Sequence, residues 1–301
     1  MWKIVYYLTP SSFCFGVERS INELTSIVQS HSWDRIFCIH ALVHNPKVTK
    51  DFEDKWVVFV ESIDDIHDGQ AVIVFSAHGI NRMILEQAKA RFKAVYNLEC
   101  PFVTKIYNEI DLFVREGIKT FFYIGKKHHQ EGKNVVEYIK SKWAEVFAFQ
   151  SADAIPDIDK QQRIAVLSQT TLNFAYVQEI LEHIKDIYPN IILPSPSDVC
   201  KATYERQKIV LDNLDKFDAF VVIWGKESNN SKELADIWVQ HGKKTFYGEN
   251  LDDVLKYSRE ELFACDTVAV TGWASTPAED IRAVFDFYRE NGYAPKILNL
   301  K

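Results

Sequence analysis

Glu99-Cys100-Pro101-Phe102-Val103-Thr104-Lys105 follows an apolar run, Ala94 to Leu98, and opens a helical stripe of Val103, Ile106, Ile110, Phe113 and Val114 that Gly117 ends. A strand that passes through a cysteine into a helix is half of a parallel α/β unit. The arrangement occurs twice more, at Phe13-Cys14-Phe15-Gly16-Val17-Glu18-Arg19 and at Val199-Cys200-Lys201-Ala202-Thr203-Tyr204-Glu205-Arg206. The cysteines lie 86 and 100 residues apart, too far for a ferredoxin-type ligand run or a zinc knuckle, whose thiolates share one loop. They read as one position repeated in three structural units.

Outward from the cysteines, apolar β-rich runs alternate with helical patterns, the signature of parallel α/β units. Twelve strands are expected, four in each third: Ile4 to Leu8, Arg35 to His40, Val57 to Val60 and Ala71 to Phe75; Ala94 to Leu98, Thr120 to Ile124, Glu145 to Phe149 and Ile164 to Leu167; Ile191 to Leu193, Ala219 to Trp224, Lys244 to Tyr247 and Thr267 to Val270. The expected fold is α/β: three similar units, each with a mainly parallel four-stranded sheet, around a pseudo-threefold axis. The units span 1-92, 93-190 and 191-282, with a C-terminal tail over 283-301. A short connector recurs at Ser62-Ile63-Asp64-Asp65-Ile66, Ser151-Ala152-Asp153-Ala154-Ile155 and Asn250-Leu251-Asp252-Asp253-Val254, where it opens a capped turn.

Bulk properties exclude several classes. With 301 residues, 47% of them hydrophobic, the chain can bury a large core. A net charge of −7 and no basic stripe argue against nucleic acid, whose phosphates require clustered Lys and Arg. The longest apolar run, Ala219 to Trp224, is far short of a membrane span, and no secretory signal is visible. Five scattered cysteines suit a reducing compartment, the cytoplasm, better than a disulfide framework. There is no Walker A or GxGxxG sequence, so nucleotide cofactors have no motif.

Polar residues after the strands repeat with the cysteines. His44, His129 and Ser228 lie 30, 29 and 28 residues after their cysteines, and His78, Thr170 and Ser275 lie 64, 70 and 75 after them. Ligands of parallel α/β sheets bind beyond the carboxyl ends of the strands. Three copies facing one axis would thus gather three thiolates and a ring of neutral donors, including Asn45, Ser76, Gln169 and Asn230. Three thiolates suit an iron-sulfur cluster or a zinc ion. On a four-iron cluster, three protein ligands leave one iron open to polarise an oxygen ligand. Imidazoles, hydroxyls and amides suit a small polyanion such as phosphate. Glu131, two residues from His129, can relay a proton. Cys38, inside a strand, and Cys265, just before one, read as core.

In order, Val43-His44-Asn45, Phe75-Ser76-Ala77-His78-Gly79, Cys100-Pro101-Phe102-Val103-Thr104-Lys105, Ile124-Gly125-Lys126-Lys127, Gln169-Thr170-Thr171-Leu172, Ser228-Asn229-Asn230-Ser231 and Ala274-Ser275-Thr276-Pro277 resemble the motifs of the LytB/IspH family of 4-hydroxy-3-methylbut-2-enyl diphosphate reductases. The resemblance runs from Cys14 to Pro277. It implies three α/β units around a pseudo-threefold axis and a [4Fe-4S] cluster with one open iron site, held by Cys14, Cys100 and Cys200. It implies an allylic diphosphate substrate held by His44, His78, His129, Ser228, Asn230 and Ser275, with Thr170 orienting the hydroxyl and Glu131 supplying protons. Two electrons from an external donor such as ferredoxin or flavodoxin would remove the hydroxyl as water.

Several positions depart from the family pattern: Ser12 replaces a glycine, Ala41 a glutamate, Tyr107 a histidine, Gln130 a proline and Trp273 a residue without a bulky side chain. A paralogue acting on another small phosphorylated or allylic alcohol, a hydro-lyase using the open iron without electrons, and a non-catalytic cluster or zinc sensor therefore stay open as alternatives.

Overall fold

The computed structural model describes residues 2–194, 197–224, 239 and 241–300. The strands, in chain order, are β1 (Ile4–Thr9), β2 (Ile36–Ile39), β3 (Val57–Val60), β4 (Val72–Phe75), β5 (Ala94–Asn97), β6 (Thr120–Ile124), β7 (Glu145–Phe149), β8 (Ile164–Ser168), β9 (Ile191–Ile192), β10 (Ala219–Ile223), β11 (Lys244–Gly248), β12 (Thr267–Gly272) and β13 (Ala294–Asn299). They form three sheets, ordered β3-β2-β4-β5, β7-β6-β8-β9 and β11-β10-β12-β1-β13. The paired strands run parallel in all three sheets. All twelve expected strands are present. The central strands β2, β4, β6, β8 and β10 are buried along their whole length, which explains why they read as continuous apolar runs rather than alternating ones.

The helices are α1 (Phe15–Ser30), α2 (Pro46–Glu53), α3 (Arg82–Arg91), α4 (Pro101–Arg115), α5 (Gln130–Ser141), α6 (Phe174–Ile187), α7 (Lys201–Leu211), α8 (Leu251–Val254), α9 (Arg259–Leu262) and α10 (Ala278–Glu290). Among the described residues none is long and apolar enough to cross a membrane. Helix α4 shows how the layers hold. Val103, Ile106, Tyr107, Ile110 and Phe113 form its buried stripe and share a core with Phe121 and Tyr123 of β6 and Leu167 of β8. Each such side chain contributes about 1.5 to 3 kcal/mol of burial.

Two features depart from expectation. The third sheet has five strands, because Ala294–Asn299 adds β13 beside β1. Pro295 hid this strand in the sequence, and as an edge strand β13 tolerates the missing N–H. Pairing also carries one strand across each expected boundary: β1 joins β12, β5 joins β4 and β9 joins β8. Cys100 and Cys200 therefore follow the edge strands β5 and β9 of the two four-stranded sheets, and Cys14 follows β1 inside the five-stranded one. Of the recurring connectors, Ser62 forms a full capping box and Asn250 caps Asp253, whereas Ser151 caps with no side-chain bond.

By contacts the chain divides into two compact units. One comprises the described parts of Met1–Glu18, His44–Lys47 and Lys201–Lys301, and contains the five-stranded sheet. The other, Arg19–Val43 with Val48–Cys200, contains both four-stranded sheets.

Candidate functional site

All three repeated cysteines sit where a strand end meets a helix start, and each is half-buried. Cys14 accepts the first helical hydrogen bond of α1 from Glu18. Cys100 caps α4, with Pro101 at the first helical position, where its missing N–H costs nothing. Cys200 immediately precedes α7. A helix N-terminus carries partial positive charge, which suits a negatively charged group bound there.

Each cysteine amide is tied to the loop after the strand that pairs with its own: β4 beside β5, β8 beside β9 and β12 beside β1. Cys100 donates to the carbonyl of Ala77 at 3.0 Å, Cys200 to Thr170 at 2.8 Å, and Cys14 to Ala274 at 3.1 Å. These carbonyls belong to the residues beside His78, at Thr170 itself, and beside Ser275. The matched offsets in the sequence thus correspond to matched backbone bonds.

In the unit built from residues 19–43 and 48–200, Glu131 and Thr170 are joined by two hydrogen bonds. Glu131 is the second residue of α5 and 4% exposed. Its Oε1 accepts the Thr170 amide at 2.7 Å and its Oε2 accepts the Thr170 hydroxyl at 2.7 Å. Burial pushes the carboxyl up to about 7; the two Thr170 bonds, which favour the carboxylate, oppose this only in part, and Asp198 adds to the rise. A carboxyl titrating there can give up and recover a proton at neutral pH. Thr170 links this acid to Cys200 through its carbonyl.

The loop carrying His129 and Glu131 is shaped by close backbone approach. A Cβ at Gly132 would lie 2.3 Å from the Lys126 carbonyl oxygen, so only glycine fits. His129 caps α5 and is buried, and its amide donates to Lys126 at 3.0 Å. Gln169 supports the same loop, its Oε1 accepting the Lys126 amide at 3.1 Å. On the facing loop Ser76 and half-buried His78 contact each other at 3.3 Å. Gly79 beside them has φ +84°, and its carbonyl accepts from Asn134 of α5 at 2.9 Å.

In the unit that holds Cys14, Asn45 donates to the carbonyl of Ser275 at 3.1 Å, which places half-buried His44 on the segment next to that serine. Ser275 is 8% exposed, and its Oγ is buried with no hydrogen-bond partner among the described residues. A buried hydroxyl left in this way suits an anion acceptor. Ser228 and Asn230 lie outside the described residues.

Two buried carboxylates escaped the sequence reading. Asp198, 1% exposed and two residues before Cys200, accepts Lys105 at 2.7 Å and the Ser168 amide at 2.9 Å. Glu99, directly before Cys100, accepts Arg82 at 2.8 Å and the Thr104 hydroxyl at 2.7 Å. An acidic residue one or two positions before Cys100 and Cys200 was the available signal, but its burial depends on partners far along the chain.

The departures from the family pattern are accommodated locally. Trp273 does not project as a loop residue: it is 2% exposed and packs with Leu8, Ile209, Phe217 and Phe220. Tyr107 is core, edge-on to Tyr138 with the Arg82 guanidinium over its ring. Ser12 has φ +70°, the left-handed region where glycine is at ease.

Among the described residues no three His, Cys, Asp or Glu side chains are gathered as donors to a single metal ion. A polynuclear cluster spreads its thiolates over several irons. Half-buried Cys100 and Cys200, each at a helix start with its amide fixed, suit such a group, and Cys14 has the same features in its own unit.

A family model described as LytB protein matches residues 5–289. The 4-hydroxy-3-methylbut-2-enyl diphosphate reductase of Actinobacillus succinogenes is 30% identical over 285 residues, covering 94% of this chain and 89% of the relative. The enzyme of the same name from Wolbachia pipientis subsp. Culex pipiens is 29% identical over 269 residues, covering 89% and 86%. Among solved structures, the E-1-hydroxy-2-methyl-but-2-enyl-4-diphosphate reductase from Plasmodium falciparum superposes with a TM-score of 0.88 at 24% identity, covering 100% of this chain and 92% of that one.

Proposed function

Because the chain belongs to the LytB family, we propose that it is a 4-hydroxy-3-methylbut-2-enyl diphosphate reductase, which breaks the allylic C–O bond of its substrate with two electrons and two protons. The products are water with isopentenyl and dimethylallyl diphosphate. Cys14, Cys100 and Cys200 would hold a [4Fe-4S] cluster, which when bound supplies electrons and a Lewis-acidic iron without a protein ligand.

The chain's own residues do the rest. Glu131, protonated at neutral pH in a substantial fraction, delivers a proton to the leaving oxygen. Thr170 orients that carboxyl and the departing hydroxyl. His44, His78, His129, Ser228, Asn230 and Ser275 bind the diphosphate, supplying imidazole, hydroxyl and amide groups to its oxygens. Electrons come from an acidic carrier, a ferredoxin or flavodoxin, that docks on Lys126, Lys127 and Lys133 in the cytoplasm.

The observation that carries this reading is the link Glu131–Thr170–Cys200, a buried acid two hydrogen-bonded steps from a cysteine backbone. The test is to purify the protein without oxygen, count iron and sulfide, and supply the hydroxylated C5 diphosphate with a chemical reductant. Reductant consumed in proportion to product supports the reductase. Turnover without reductant would point to a hydro-lyase, and zinc without iron would overturn the cluster.

A further inference from the structure

Each cysteine helix carries a cation five or six residues after its cysteine: Arg19 after Cys14, Lys105 after Cys100 and Arg206 after Cys200. The chemistry above uses none of them. Helical side chains lean toward their own N-terminus, so a long arm at this position is directed toward the cysteine end.

Arg19 donates from Nη1 to the carbonyl of Glu99, one residue before Cys100, at 3.2 Å. Lys105 Nζ donates to Asp198, two residues before Cys200, at 2.7 Å. Arg206 donates from Nη2 to the carbonyl of Ser12, two residues before Cys14, at 2.6 Å. Each bond lies inside one compact unit. The connectivity is cyclic: the first cysteine's helix holds the second cysteine's loop, the second holds the third, and the third holds the first.

Every arm is also braced one helical turn away. Arg19 pairs with Glu23 at 2.7 Å, Lys105 with Glu109 at 2.8 Å, and Arg206 donates to the Ala202 carbonyl at 3.0 Å. A surface cation would keep its rotamer freedom, whereas these are held at both ends, and Arg206 is only 3% exposed.

We propose that Arg19, Lys105 and Arg206 are positioning residues, a cyclic set of cationic clasps that fixes the three cysteine loops for the cluster. The inference rests on the iron-sulfur reading above. It assigns these residues no contact with substrate.

The full chain is purified without oxygen, and release of its iron to excess chelator is followed together with the electron paramagnetic resonance of the reduced cluster. Arg19→Met and Lys105→Met are expected to lose iron about tenfold faster or more, the loss of one charge-assisted hydrogen bond, with an altered spectrum. Arg19→Lys and Lys105→Arg should largely restore both. Unchanged release in the two Met variants would overturn the proposal.

Hydrogen exchange at the amides of Cys100 and Cys200 in the metal-free chain separates this inference from the one beneath it. Faster exchange in Arg19→Met at Cys100 and in Lys105→Met at Cys200 supports the clasps. Wild-type exchange rates in both would overturn them, even in folded variants. A wild-type chain that takes up no iron would overturn the proposed function, and the exchange result would still decide whether the loops are clasped.

Discussion

The Glu131 carboxylate receives both the amide and the hydroxyl of Thr170, each at 2.7 Å, so one residue occupies both oxygens of the buried acid. If Glu131 delivers the proton as proposed, that delivery depends on a single neighbour. Glu131→Gln should keep its iron and lose about 100-fold or more in turnover, the usual worth of a positioned acid. Turnover within a few-fold of wild type would remove Glu131 from the proton path. In the wild type, kcat should fall as pH rises through about 7, where the carboxyl gives up its proton.

The same group sets a stability trend in the metal-free chain. Its folded-state value, about 7, lies above the ordinary 4.5, so the native state binds the extra proton and stability contributed by this site is lost as pH rises between them. Wild type should lose about 3 kcal/mol more than Glu131→Gln between pH 4 and 8. Urea unfolding of both at the two pH values measures the difference, and parallel changes would contradict the shift.

Thr170→Val removes the hydroxyl and keeps the amide. Losing a donor that favours the carboxylate should raise the Glu131 value and move the fall of the pH–rate profile to higher pH, while kcat drops about tenfold because the carboxyl is no longer held in place. Thr170→Ser should behave like wild type. A pH–rate profile unmoved in the valine variant would show that the hydroxyl is not what tunes the acid.

The buried Ser275 hydroxyl, lacking a partner among the described residues, has little to lose structurally. Ser275→Ala should weaken inorganic diphosphate binding about tenfold with thermal stability nearly unchanged. Calorimetric titration of both proteins with diphosphate provides the check. Equal affinity would take the serine out of the anion site.

Iron content should sort the five cysteines. Cys14→Ser, Cys100→Ser and Cys200→Ser should each lose most iron after anaerobic reconstitution, while Cys38→Ser and Cys265→Ser keep it. Cys38 is fully buried in β2, and burial pushes its thiol well above the ordinary range, so it is a poor thiolate donor. Iron loss from Cys38→Ser in a folded protein would reassign the ligands.

Much of this architecture was legible because parallel sheets bury whole strands, so β4 and β6 announce themselves as Val72–Phe75 and Thr120–Ile124. The cysteine positions were legible because strand, cysteine and helix recur at matched spacing. Strand grouping was not: whether Ala94–Asn97 ends one sheet or begins the next depends on its hydrogen-bond partners, and these lie in β4. Asp198 and Glu99 escaped notice because Lys105 and Arg82, which pair with them, are brought near only by folding. Ser12 illustrates the reverse case. It read as a mere departure, yet its φ of +70° gives a physical reason for glycine there, and Ser12→Gly should stabilise the chain by about 1 kcal/mol. A urea midpoint that does not rise would mean the serine repays its strain elsewhere.

Strand β1 lies between β12 and β13, with Ile4 opposite both Thr267 and Ala294. During synthesis on the ribosome this segment leaves the exit tunnel long before β12 and β13, the neighbours it pairs with. The two four-stranded sheets use one nearly continuous stretch and can assemble while translation continues, whereas the five-stranded sheet must wait for β13. Until they arrive, β1 presents unpaired N–H and C=O groups along both of its edges.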